Sequence, residues 1–136
     1  MGTGLVMILN HVDLQVSKVS AARAFFERHF GLRCTYQRAG QIALLEDDAG
    51  FCFGVSNLRN GPPPVYPPDF HLGFVLKDAQ DVREIYSRIK EAGVAIKFEL
   101  QEAGPNFVFR CLGPDSIPVE VRAPLASPVV AETKTK

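Results

Sequence analysis

Polar and apolar positions alternate over residues 10–16, NHVDLQV, which predicts a half-buried strand. His11, Asp13 and Gln15 then share one face, and Val12, Leu14 and Val16 the other. The period next lengthens to that of a helix. Ala22, Phe25, Phe26 and Phe30 follow helical spacing, so a helix is predicted from near Ser17 or Ser20 to a stop at Gly31. Three short strands are expected at 33–38, 41–46 and 51–56, separated by AG and DDAG turns. Residues 57–70 carry five of the chain's ten prolines, which excludes helix and central strand and predicts an extended linker. A second strand follows in FHLGFVL. A second helix is expected from about Asp81 to Glu91, with Asp81 and Glu84 as a capping-box variant. Its buried stripe is Val82, Ile85, Tyr86 and Ile89, and Gly93 ends it. Strands near 95–100, 106–112 and 118–122 complete the series, with GPDS turning between the last two.

The second half of this series repeats the first. At an offset of sixty residues His11 falls on His71, Val16 on Leu76, Arg23 on Arg83, Phe26 on Tyr86 and Arg28 on Arg88. Such a period indicates two copies of one supersecondary unit. The expected fold class is α+β: two βαβββ modules forming a curved, cup-like mixed sheet, with helices on the outer face and a cleft on the other. We expect one domain over 1–124, with module one at about 8–56, the linker at 57–70 and module two at about 71–123. Residues 125–136, polar and proline-containing, read as a mobile tail.

Composition narrows the function classes. A net charge of zero and a pI near 6.8 argue against nucleic acid as a partner, since phosphate binding normally requires a basic excess. No apolar run is long enough to span a membrane, and LVMIL is too short for the core of a signal peptide. Cys34, Cys52 and Cys111 are odd in number and lack CxxC spacing, which favours a cytoplasmic location and argues against a cysteine zinc site. Cys111 reads as a small buried hydrophobe, and His29, late in the first helix, as a charge near a helix terminus or a surface residue.

The candidate chemistry lies with His11, His71 and Glu120. The repeat gives each module an imidazole at the start of its first strand, and Glu120 in GPDSIPVEV adds a carboxylate on the last strand. Two imidazoles and a carboxylate on convergent strands suit one divalent ion, Fe, Mn, Zn, Ni or Co, with open coordination positions. Sliding the last hairpin of module two onto that of module one by 67 residues places Glu120 on Phe53, which supplies no ligand. Asp13 shares the face of His11, as a general base or as an orienter of the imidazole.

At these residues the chain resembles the vicinal oxygen chelate superfamily of glyoxalases, bleomycin resistance proteins and dioxygenases. The elements that match are NHVDLQV, FHLGFVL and GPDSIPVEV, over about residues 8–123. In the last, Gly113 and Ser116 replace the first Asp and the Gly of the usual D-P-D-G-x-x-x-E pattern. The resemblance implies a divalent ion held by His11, His71 and Glu120 that chelates a small substrate through two neighbouring oxygens. It also implies a homodimer, in some relatives with each metal site completed by both chains. Arg110 stands ten residues before Glu120, where several relatives carry Tyr; facing the cleft, it would bind an anionic group of the substrate. The reading from another class is a metal-free, antibiotic-sequestering protein of the bleomycin resistance type, with phenylalanines lining its cleft.

Overall fold

The computed structural model describes residues 4–125. Apart from Leu125, the expected mobile tail lies outside the described residues. The chain divides into two compact units, Met1–Pro64 and Val65–Lys136, with the break inside the proline-rich segment.

In the first unit, β1 (His11–Gln15) leads to α1 (Val19–Phe30), followed by β2 (Arg33–Arg38), β3 (Ile42–Glu46) and β4 (Cys52–Ser56). The strands form a mixed sheet in the order β1-β4-β3-β2, with β1 parallel to β4 and the other pairs antiparallel. One face carries α1. Strict alternation on β3 and β4 aims Ala43, Leu45, Phe53 and Val55 at Val19, Ala22 and Phe26 of the helix, and all of these are buried. Gly31 closes α1 in the left-handed conformation, φ 69°, and its amide returns to the Glu27 carbonyl.

The second unit repeats this plan. It contains β5 (Leu72–Val75), α2 (Ala79–Glu91), β6 (Ile96–Ala103), β7 (Asn106–Leu112), a 3₁₀ turn (Pro114–Ser116) and β8 (Pro118–Pro124). The sheet order is β5-β8-β7-β6, again with the first strand parallel to the last. Phe107, Phe109, Cys111, Val119, Val121 and Ala123 pack with Val82 and Ile89 beneath α2. Two helices and two four-stranded mixed sheets make this an α+β, two-module fold.

Two local expectations need correction. The helix α2 starts at Ala79, not Asp81, and its cap is Asp78, whose side chain accepts from the Asp81 amide at 3.1 Å. Glu84 reaches Arg88 one turn on and plays no part in the cap. The strand β6 runs three residues past its expected end at 100. Gln101, Glu102 and Ala103 pair with Val108, Phe107 and Asn106 across a turn at Gly104, so the hairpin partner overrides their polar character.

The GPDS turn gives one departure from the usual motif an energetic cost. Asp115 and Ser116 both hold positive φ, 59° and 60°. Serine there bears the left-handed cost of roughly 1–2 kcal/mol that glycine avoids, partly offset by glycine's greater unfolded-state entropy. Ser116→Gly is expected to stabilise the protein by about 0.5–1 kcal/mol, read as a rise of about 3–5 °C in melting temperature. An unchanged or lower melting temperature contradicts this.

Candidate metal centre

Histidine tautomers are set by what holds each ring. His71 stands one residue before β5, and its Nδ1 lies 3.0 Å from the Asp69 carbonyl oxygen. A carbonyl only accepts, so Nδ1 carries the proton and Nε2 keeps its lone pair. His11 is arranged in the same way, with Nδ1 2.9 Å from Asn10 Oδ1. Fixing one ring nitrogen against an oxygen while freeing the other is how metal-binding histidines are usually held. Both modules show it.

The face of each sheet turned away from its helix carries one row of side chains across four strands. In module two that row is Gly73, Glu120, Arg110 and Phe98. Glu120 is only 7% exposed. Its Oε1 accepts from Arg110 Nε at 2.9 Å and stands 3.6 Å from His71 Nε2, while Arg122 approaches Oε2 at 3.8 Å. Arg110 therefore lies on the face of Glu120, with its guanidinium over the Phe98 ring at 5.1 Å. Strand pairing fixes that orientation, which the sequence alone left open.

In module one the corresponding row is Asp13, Gly54, Leu44 and Tyr36. Asp13 is exposed, and its Oδ2 accepts from Ser56 Oγ at 3.2 Å. Asn10, not Asp13, orients His11, so the orienting role expected of Asp13 falls to its neighbour. The module-one counterpart of Glu120 also shifts by one. Asp13 pairs with Gly54 as Gly73 pairs with Glu120, so Gly54 holds the place assigned to Phe53. Phe53 faces the helix instead and packs on Phe26 at 5.0 Å between ring centres. Beyond the end of β1, Gln15, Ser56, Asn57, Leu58 and Arg59 line a cleft of about 330 Å³.

Among the described residues, no three His, Cys, Asp or Glu side chains come together as a metal site. Each module holds a partial set. The donors nevertheless suit a divalent ion: two imidazole Nε2 lone pairs and a carboxylate are ligands of intermediate softness. His71 Nε2 and Glu120 Oε1, 3.6 Å apart, would be the atoms that hold such an ion in module two. Sequence reasoning missed Asn10, the Asp69 carbonyl, Ser56 and Arg122. Only Arg122 left a usable signal, since it lies two residues from Glu120 on a strand.

The remaining titratable candidates serve structure. Burial pushes the Cys111 thiol up to about 11, so it stays protonated at neutral pH and is no nucleophile. His29 packs on Phe25, and burial followed by the Arg28 charge lowers its pKa.

Comparison with known proteins identifies the family of this fold. Residues 8–121 match the Glyoxalase/Bleomycin resistance protein/Dioxygenase superfamily, and the chain belongs to that family, whose fold is that of the vicinal oxygen chelate proteins. Among solved structures, a possible glyoxalase from Bacillus cereus is 32% identical and superposes with a TM-score of 0.76, over 85% of this chain and 98% of that one. A lactoylglutathione lyase from Agrobacterium tumefaciens shares the fold at 17% identity, with a TM-score of 0.72 over 88% and 96% of the two chains. So does the fosfomycin resistance protein FosX from Listeria monocytogenes, at 21% identity and a TM-score of 0.73 over 88% and 94%. No curated protein matches the chain. Superfamily members generally use a divalent metal, bind small molecules and often act as dimers. Among the described residues, no helix is long and apolar enough to cross a membrane.

Proposed function

We propose that this protein is a divalent-metal-dependent enzyme of the glyoxalase type, acting on a small substrate through two adjacent oxygens. The ligands are His11, His71 and Glu120. The observation that carries the reading is the shared histidine arrangement: both Nδ1 atoms are held by oxygen acceptors, and His71 Nε2 faces the Glu120 carboxylate at 3.6 Å. The ion, when bound, stabilises negative charge that develops on the chelated oxygens. Arg110 and Arg122 hold the Glu120 carboxylate in place within a nearly buried setting. Likeness to a lactoylglutathione lyase and a fosfomycin resistance protein over nearly their whole lengths supports the lyase and transferase branches. The enzyme works in the cytoplasm as a homodimer. Val6, Met7, Ile8 and Leu9, a run 78–96% exposed beside the sheet's end strand β1, form the apolar surface that a second copy covers.

A bidentate oxygen ligand tests the chelation. Acetohydroxamate added to the Co(II)-loaded protein is expected to change the visible spectrum of the cobalt, and to bind neither the metal-free protein nor His71→Ala. Equal binding with and without metal contradicts the proposal.

One observation favours the metal-free alternative. The charge of Glu120 is already balanced by Arg110 at 2.9 Å, so the carboxylate does not require an ion. The aromatic lining which that alternative needs is thin. Phe26, Phe53, Phe107 and Phe109 fill the cores beneath the helices, and only Phe98 joins the Glu120 row.

A further inference from the structure

The two rows differ in a way that neither sequence nor family match assigns. In module two the first-strand position is glycine and the last-strand position a carboxylate, Gly73 opposite Glu120. In module one the order is reversed, Asp13 opposite Gly54. Each pair holds one carboxylate and one residue without a side chain, on exchanged strands.

Space confirms the exchange. A Cβ built on Gly54 would lie 2.7 Å from Asp13 Oδ1 and 3.2 Å from Leu44 Cδ2. The Asp13 carboxylate thus leans across β4 and occupies the room that a last-strand side chain would take. Ser56, two residues along β4 and 8% exposed, holds Oδ2 from the same side. Oδ1 lies over the glycine. In module two no atom comes within 4 Å of a Cβ built on Gly73, so the exchange is particular to module one.

Charge separates the two carboxylates further. Glu120 is surrounded by Arg110, Arg122 and His71. At the Arg110 position module one has Leu44, and among the described residues no cation stands within ion-pair distance of Asp13. An anion without a cationic partner, two residues along one strand face from an imidazole with a free Nε2, is a ready ligand. Such i, i+2 positions lie about 6.6 Å apart along one strand face.

We propose that Asp13 is the carboxylate ligand of module one, delivered from β1 across Gly54 in place of a last-strand Glu. Asp13 then stands beside His11 as a second ligand of module one. This rests on the metal-dependent reading above and replaces the general-base role for Asp13. Gly54 is needed because any side chain there would displace the carboxylate.

Calorimetric titration with Mn(II) and Zn(II) tests the assignment without reference to activity. Asp13→Asn and Asp13→Gly are expected to bind each ion at least tenfold more weakly than the wild type, with unchanged circular dichroism. Moving the carboxylate to the strand it occupies in module two, in Asp13→Gly/Gly54→Glu, is expected to restore affinity to within threefold. Wild-type affinity in Asp13→Asn, alongside lost binding in His71→Ala, overturns this inference and spares the metal reading. A double variant that melts like Asp13→Gly yet recovers no affinity overturns the equivalence of the two positions. No binding of either ion by the wild type overturns both.

Discussion

Glu120→Gln is expected to leave the protein folded and to weaken divalent-ion binding by more than a hundredfold. The substitution removes the anionic charge but keeps an amide oxygen to accept from Arg110 Nε, which now lies 2.9 Å from Oε1. Loss of an outer partner of a metal ligand typically costs about 10–100-fold in affinity, and loss of a charged ligand itself exceeds that. Glu120→Ala would be the poorer probe. It strands a guanidinium whose side chain is only 19% exposed, at about 1–3 kcal/mol, and confuses folding with binding. Calorimetry beside a melting curve separates the two effects. Glu120→Gln that still binds as the wild type removes the carboxylate from the ligand set.

Phe26→Ala carries the largest expected cost to stability, about 3–5 kcal/mol. Its side chain is fully buried and meets Phe25, Phe30 and Phe53 with ring centres at 5.1, 6.0 and 5.0 Å. The contact with Phe53 joins α1 to β4, the strand that carries Gly54 and Ser56 on its opposite face. A small domain has only about 5–15 kcal/mol in total, so the variant should melt far earlier or lose cooperative unfolding. Phe26→Leu, which keeps most of the volume, is expected to cost less. Urea denaturation measures both, and a Phe26→Ala cost under 1 kcal/mol contradicts this packing. Metal affinity gives a second reading: if α1 holds β4 in place, Phe26→Ala weakens it, whereas Phe26→Leu leaves it close to the wild type.

Much of this was legible in the chain because periodicity survives translation into structure. The alternation around His11 and the helical spacing of Ala22 and Phe26 placed β1 and α1 within two residues or so. The sixty-residue offset paired the histidines. Register was not legible. Matching the turns at Asp48 and Asp115 equated Glu120 with Phe53, whereas the strands pair so that Glu120 corresponds to Gly54. A slip of one residue moves a side chain to the other face of a sheet, so the error exchanged a core phenylalanine for a site glycine. Turn sequence does not set that count; hydrogen bonding across the sheet does. The contact between Arg110 and Glu120 was hidden for the same reason, since it depends on the pairing of β7 with β8. The acceptors that hold the imidazoles, Asn10 and the Asp69 carbonyl, have no pattern to betray them. One is an adjacent side chain and the other a backbone oxygen.

The proposed metal dependence makes His11, His71 and Glu120 ligands of a divalent ion. Elemental analysis of untagged protein, reconstituted with each candidate ion and then dialysed, measures this directly. One equivalent per chain is expected for the wild type, with loss in His11→Ala as complete as in His71→Ala. A wild type that holds no ion, or a His11→Ala variant that keeps its full equivalent, contradicts the account.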